Sequence, residues 1–339
     1  MTTFLITGGA GFIGSNFIRY LLNQYGNVVR VHTVDALTYA GNLENLRDLS
    51  NSSHLFHKAD ITDAEEMGSL FKKESIDVVV HFAAESHVDR SIQASRKFFE
   101  TNVIGTQILL ESIRQYPVKK FIHISTDEVY GSLGESGTFS EDSPLKPNSP
   151  YAASKASADL VVRSYFKTYG VPAVITRCSN NYGPYQFPEK MIPLMISNML
   201  EDRPLPVYGN GMNIRDWIYV EDHCRAIDCV IQKGKIGEIY NIGGNSETRN
   251  IDLVKQLLKL AGKTESLIQF VPDRPGHDYR YAIDYSKIKR DLDWEPKVTP
   301  EEGLNHTFRW YLNHQKWWKR IQSGEYRQYY EKQYKMSLG

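Results

Sequence analysis

Short, mostly apolar runs recur along the first half of the chain, over 3–7, 29–34, 55–57, 78–82, 120–125 and 173–176. Each is too short for a buried helix and is bounded by turn residues, so each reads as a strand buried in a parallel sheet. Between them, stretches over 15–25, 64–73, 95–116 and 151–169 repeat apolar positions at helical spacing. Strand and helix therefore alternate from the start, which predicts an α/β fold on a doubly wound parallel sheet.

After Arg177 the texture changes. Residues 179–190 form a polar loop punctuated by Gly183, Pro184 and Pro188. Short strands are expected within 204–218, then helices over 221–233 and 250–261 around a strand at 238–242. Residues 273–277 are a second loop of polar ligating groups. The chain thus divides into residues 1–177 and a smaller α/β unit over 178–339, with a later strand expected to return to the first sheet. From Trp310 to Tyr334 aromatic and basic residues interleave, a pattern that can accompany nucleic-acid binding. Glu325 and Glu331 interrupt it, and a closing segment that packs its rings on the second unit is the better reading.

Composition narrows the function. The 339 residues hold 40 basic and 40 acidic side chains, so no net field favours nucleic acid or a membrane surface. Three cysteines, Cys178, Cys224 and Cys229, are too few and too scattered for a disulfide framework or a zinc site. No metal constellation stands out, and His81 and His123 lie inside apolar strands, where core histidines are expected. No apolar run approaches the roughly 18 residues of a membrane span. Met1 leads straight into a strand without a signal peptide, so a cytoplasmic protein is expected.

The candidate chemistry lies at strand ends. Gly8, Gly11 and Gly14 fall as G-x-x-G-x-x-G between the first strand and the first helix. Such glycines permit a tight turn and close approach of backbone to a pyrophosphate, the mark of a Rossmann-type dinucleotide site. Asp35 closes the second strand 21 residues beyond Gly14, the spacing of a ribose 2′-OH ligand. A carboxylate there repels a 2′-phosphate, so NAD is favoured over NADP. Asp60 and Ile61 end a third strand as an adenine contact, and Ala83 and Ala84 let a cofactor approach the fourth.

The strand over 120–125 runs into Thr126, Asp127 and Glu128, and Tyr151 and Lys155 follow at i and i+4 on one helix face. A Tyr one turn from a Lys can act as base, because the ammonium favours phenolate over a reference pKa of about 10. With NAD and the Thr126 hydroxyl, this set oxidises a secondary alcohol to a ketone. Asp127 and Glu128 exceed what that oxidation needs. A ketone acidifies the adjacent C–H, so one carboxylate can remove that proton while a carboxylic acid protonates a leaving hydroxyl. Burial and like-charge repulsion supply the different pKa values these roles require. The residues suggest oxidation followed by dehydration.

Several stretches carry a resemblance. The glycine fingerprint with Tyr151-x-x-x-Lys155 resembles the extended short-chain dehydrogenase/reductases that act on nucleotide sugars. Thr126-Asp127-Glu128, Ala83 to Ser91, Asn180 to Tyr185 and Arg274 to Asp278 resemble the dTDP-glucose 4,6-dehydratase family, over residues 3 to about 310. Epimerases and decarboxylases of the same fold carry other residues at the carboxylate pair. The alternatives are a UDP-glucose 4,6-dehydratase, another epimerase or decarboxylase of this fold, or a catalytically silent NAD-binding protein.

The resemblance implies roles. Tyr151 would take the C4 hydroxyl proton, Lys155 would lower its pKa and hold the nicotinamide ribose, and Thr126 would hold the C4 oxygen. Glu128 would remove the C5 proton and Asp127 would protonate the departing C6 hydroxyl. The cofactor surface would also include Phe12, Ile13, Ala36, Leu37, Thr38, Phe82, Ser86, Thr101 and Asn181. The nucleotide sugar would meet Ser86, Asn180, Lys190, Met191, Pro206, Val207, Tyr208, Arg215, Asn250, Asp273, Arg274 and His277. Arg215 and Arg274 suit a diphosphate. A homodimer is implied, joined through the helices over 95–116 and 151–169.

Overall fold

The computed structural model describes residues 1–49 and 53–323. Seven strands form one parallel sheet: β1 (Thr2–Thr7), β2 (Val29–Asp35), β3 (His54–Lys58), β4 (Val78–His81), β5 (Lys120–Thr126), β6 (Ala173–Cys178) and, much later, Ile239–Ile242. From one edge the order is Ile239–Ile242, β6, β5, β4, β1, β2, β3. Connections turn in opposite directions on either side of the β1–β4 pair, which opens a crevice beyond the carboxyl ends of these strands.

Side chains leave each strand alternately, so successive apolar residues feed two cores. Phe4 and Ile6 pack with Phe17, Ile18 and Leu21 of helix Phe12–Tyr25 and with Ile227 and Val230 of helix Val220–Lys233. Leu5, Val79 and Phe121 point the other way, onto Met67, Leu109 and Val162 of helices Ala64–Lys73, Thr106–Gln115 and Pro150–Tyr169. Both faces are covered, which is why these strands read as runs without a polar face.

The long helix expected over 95–116 is interrupted. Ser95–Phe99 and Thr106–Gln115 are α-helical, and Glu100–Gly105 between them is a π turn. Inserted residues of this kind redirect side chains at functional sites. Here the buried Asn102 is turned so that its amide nitrogen donates to Glu85 O at 3.0 Å and to Ser154 Oγ at 2.8 Å.

Ser179 alone separates β6 from β7 (Asn180–Tyr182), which starts a second, three-stranded sheet with β9 (Ile214–Tyr219) and β11 (Glu247–Arg249). That numbering leaves β8 (Leu205–Tyr208) to pair in parallel with β12 (Ile268–Val271), and makes the returning strand Ile239–Ile242 β10. Helices Met191–Leu200, Asn250–Ala261 and Pro300–Asn313 pack against these strands around Tyr182, Trp217, Leu257, Tyr311 and Trp318. Of the tail's rings, Tyr311, Trp317 and Trp318 thus lie in the core of this part of the molecule, and Trp310 packs against it. Tyr326, Tyr329, Tyr330 and Tyr334 fall outside the described residues.

Candidate active site

At the carboxyl end of β1 the chain turns through the glycines. Gly8 has φ +70°, and a Cβ on it would lie 2.6 Å from the Ala83 nitrogen. A Cβ on Gly14 would lie 2.4 Å from the Gly8 carbonyl oxygen, because helix Phe12–Tyr25 begins inside the glycine segment. Only hydrogen is tolerated at either position, and that is the physical content of the fingerprint. Asp35 ends β2 with its carboxylate accepting the N–H groups of Ala10 at 2.9 Å and Leu37 at 2.8 Å. Burial raises its pKa and these two bonds oppose the rise.

A cavity of about 350 Å³ runs from this turn to the end of β5. Its wall includes Gly8, Gly11, Phe12, Ile13, Gly14, Asp35, Ala36, Thr38, Asp60, Ile61, Phe82, Ala83, Ala84, Ser86 and Thr101, then Thr126, Asp127, Glu128, Tyr151 and Lys155. The turn, the small Ala83 and Ala84, and a carboxylate at the end of β2 suit a dinucleotide with a free ribose 2′-OH. Leu37 does not line this cavity. It has φ +53°, and its side chain packs on the core behind the turn.

The catalytic candidates meet because two local signals place them. Thr126 ends β5 and caps a single 3-10 turn, Asp127–Tyr130, that Gly131 closes with φ +88°. Ser149 caps helix Pro150–Tyr169 by accepting the Ala152 N–H at 3.1 Å, with Pro150 in its first turn. Tyr151 is therefore set at a helix entrance facing the strand end.

The electrostatics separate the two carboxyl groups. Burial raises Asp127 well above the usual carboxylate range, and the charges of Glu128 and Asp216 push it further. Its Oδ1 accepts from Thr126 Oγ1 at 3.3 Å, while the buried Oδ2 has no protein partner. Burial also raises Glu128, but Arg274, Lys190 and Arg215 all oppose the rise. One group is thus held toward the acid and its neighbour is drawn back toward the carboxylate.

The Tyr151–Lys155 pair is balanced differently from the sequence expectation. Burial, then the charge of Glu128, raises the phenol well above its ordinary value, and a hydrogen bond with Thr126 works the other way. The Lys155 ammonium donates to the Ile124 carbonyl at 2.7 Å. Burial lowers Lys155 to about 8, with Asp159 and Cys178 opposing.

Beyond Glu128 a second cavity, about 170 Å³, shares Asn180, Asn181 and Lys190 with the first. Met191, Pro206, Val207, Tyr208, Arg215, Asn250, Arg274 and His277 line it. Arg215 stacks over the Tyr281 ring at 4.4 Å and donates to the Asp278 carbonyl at 3.0 Å. Arg274 meets Asp89 Oδ1 at 2.9 Å, and Tyr208 donates to Asp89 Oδ2 at 3.0 Å. Lys190 donates to the Ser86 carbonyl at 2.7 Å. The buried Oδ1 atoms of Asn180 and Asn250 and the Nε of Arg274 have no protein partner, so these walls offer open hydrogen-bonding groups. Asp273 stands off the cavity, accepting from His277 Nδ1 at 2.6 Å. Asn181 spends its side chain internally, donating to the Ser179 carbonyl at 3.0 Å and pairing with His223 at 2.8 Å.

Sequence reading missed several wall residues. Tyr39 lies under Arg90 at 4.1 Å, and Glu189 pairs with Arg90 at 3.0 Å. Gln186, Cys178 and Trp217 line the cavities as well. The polar loop over 179–190 was the available signal for Gln186 and Glu189. Tyr39 and Trp217 carry no such mark.

Residues 5–307 match the family model described as GDP-mannose 4,6 dehydratase. The chain is 51% identical to a dTDP-glucose 4,6-dehydratase of Xanthomonas campestris pv. campestris (strain B100), over 96% of this chain and 98% of that protein. It is 49% identical to dTDP-glucose 4,6-dehydratase 1 of Escherichia coli (strain K12), over 97% of this chain and 98% of the relative. A dTDP-glucose 4,6-dehydratase structure from Streptomyces venezuelae, solved with NAD bound, superposes with a TM-score of 0.92 at 49% identity. It covers 94% of this chain and all (100%) of its own. With this geometry and these relatives, the chain belongs to the dTDP-glucose 4,6-dehydratase family.

Proposed function

We propose that the chain converts dTDP-glucose to dTDP-4-keto-6-deoxyglucose as an NAD-dependent hydro-lyase. The observation that carries this reading is the buried carboxyl pair Asp127 and Glu128, unequally biased, on the same cavity as Tyr151 and Lys155. An epimerase or decarboxylase of this fold has no use for an acid at C6, so Asp127 argues against both.

NAD, when bound, supplies the electron acceptor at C4 and the donor at C6, so the reaction shows no net redox change. Tyr151 takes the C4 hydroxyl proton, and Thr126 steadies the C4 oxygen. The buried Tyr151 phenol is a strong base once ionised, and a hydrogen bond with Thr126 favours the ionised form. Glu128, its charge favoured by Arg274, Lys190 and Arg215, removes the C5 proton. Asp127, kept protonated by burial and its acidic neighbours, donates to the C6 hydroxyl, which leaves as water. Arg215 and Arg274 hold the diphosphate, and Pro206, Val207 and Tyr208 border the base.

A homodimer is part of the proposal. Phe99, Ile104 and Leu160 are 39%, 51% and 57% exposed on the two helical regions named for that contact. Three free cysteines and a reaction drawing on NAD and a nucleotide sugar support a cytoplasmic setting. The activity test is to incubate purified protein, without added NAD, with dTDP-glucose or UDP-glucose. A 4-keto-6-deoxy product from dTDP-glucose is expected. Failure to form it even when NAD is supplied would sink the reading, and product from UDP-glucose alone would change the nucleotide.

A further inference from the structure

The aromatic tail takes no part in the reaction above, yet its last described helix, Gln315–Ile321, reaches the cofactor half of the cleft. Trp317, 8% exposed, donates its indole N–H to Asn45 Oδ1 at 2.9 Å across 272 residues of sequence. Asn45 is 1% exposed, and its amide nitrogen donates to the Ala10 carbonyl at 2.9 Å, within the glycine turn. The Asn42 N–H closes on the same carbonyl at 3.0 Å. Ala10 in turn gives its own N–H to Asp35 Oδ2 at 2.9 Å. Contacts therefore run without a gap from the tail helix through Asn45 to the turn and the ribose carboxylate. A buried amide costs free energy unless its atoms are paired, and Asn45 has one atom on each side of this junction.

Parting the turn from the loop over 36–49 would break the Asn45–Ala10 bond. With Asn45 also anchored on Trp317, that opening must either strand a buried acceptor or drag a packed helix. We propose that Asn45 is a positioning residue through which the C-terminal helix holds the glycine turn closed and slows release of NAD. The proposal rests on the NAD reading given above.

The test measures NAD dissociation by trapping released cofactor, beside dTDP affinity by calorimetry. Trp317→Phe removes the indole N–H with part of the ring system and keeps an aromatic ring against Tyr185 and Trp310, whose centroids lie 6.0 and 5.1 Å away. Trp310→Phe serves as the control for the lost volume. Asn45→Asp keeps the acceptor for Trp317 and removes the donor to Ala10. Both variants should release NAD roughly tenfold faster, the scale of a buried acceptor losing its donor, with dTDP affinity unchanged. Trp310→Phe disturbs the same ring cluster without touching Asn45 and should release NAD at the wild-type rate. Wild-type release rates in both Trp317→Phe and Asn45→Asp would overturn the proposal. So would equal acceleration by Trp310→Phe, or a parallel loss of dTDP affinity. A wild type that retains no NAD at all would overturn the cofactor reading and this one with it.

Discussion

Around the glycine turn the cleft wall is mostly backbone and small side chains, whereas beyond Glu128 it is made of long charged side chains brought from distant segments. Gly8, Gly14, Ala83 and Ala84 leave space by having little or no side chain, and nearby backbone fills the position a Cβ would take. Arg215, Arg274 and Lys190 instead project into their space, each held by a carbonyl or carboxylate of the protein. The first wall is set by sterics and tolerates almost no substitution. The second is set by electrostatics and should fail in graded ways.

The largest expected effect isolates the junction between the two. Asp127→Asn retains size and hydrogen bonding but cannot donate an acidic proton to C6. Release of 4-keto-6-deoxy product should fall by roughly 10²–10⁴-fold, the usual contribution of a general acid. Oxidation at C4 should persist, so single-turnover absorbance should still show NADH. If NADH formation is lost as thoroughly as in Tyr151→Phe, the division between the oxidising and eliminating residues is wrong.

Next is the steric wall. Gly8→Ala places a side chain at φ +70° and 2.6 Å from the Ala83 nitrogen. Backbone strain of about 1–3 kcal/mol, where a bound NAD prevents the turn from relaxing, corresponds to roughly five- to 150-fold in NAD affinity. Equilibrium dialysis against NAD should show that loss while dTDP still binds. Equal damage to both affinities would erase the contrast between the walls.

A smaller effect is expected on the electrostatic wall. Arg215→Lys keeps the charge but gives up the planar fork, one arm of which donates to the Asp278 carbonyl. Losing one charged hydrogen bond costs roughly 1.5–3 kcal/mol, so calorimetry should report at least about tenfold weaker dTDP binding with NAD binding intact. An unchanged dissociation constant would remove Arg215 from the diphosphate site.

The last effect is one of pH, and it touches stability rather than either ligand. Burial holds His123, in the sheet beneath the cofactor half, down to about 4. Below the unfolded value of about 6.5 the unfolded chain binds a proton that the folded chain refuses. The histidine therefore costs no stability above about 6.5, and a cost grows as pH drops toward 4, by at most about 1.4 kcal/mol per pH unit. The raised carboxyls Asp127 and Glu128 work in the opposite direction. Denaturant melts of wild type and His123→Gln across this range should diverge in slope, which isolates the histidine. Parallel curves would mean that His123 takes up its proton in the folded state.

The cofactor half was the more legible in the sequence because its requirements are local. A strand, three glycines at fixed spacing and an acid 21 residues past the last of them lie in one continuous stretch. Tyr151 and Lys155 share a helix turn, and Thr126 to Glu128 share a strand end, so each group announced its chemistry from its own neighbourhood. The arginines of the second cavity came instead from resemblance, since nothing in the spacing of Arg215 and Arg274 brings them together. Leu37 and Asp273 were expected on the cavity walls and stand off them, one turned into the core and the other engaged with His277.

Taken alone, then, the sequence determined the alternating strands and helices, the glycine turn, and the acid/base residue types, all of which depend on periodicity or on contacts a few residues apart. Tertiary structure decided what depends on distance and burial. It set Arg274, Lys190 and Arg215 to oppose the rise at Glu128, while Asp127 has the charges of Glu128 and Asp216 adding to its burial and Arg215 opposing them, and so gave adjacent carboxyls different biases. It also set the Lys155 ammonium on the Ile124 carbonyl. And it carried Trp317 back to Asn45, beside the turn with which the chain begins. Charges and hydrogen bonds act over a few ångströms of space, and only the folded chain says which residues share that space.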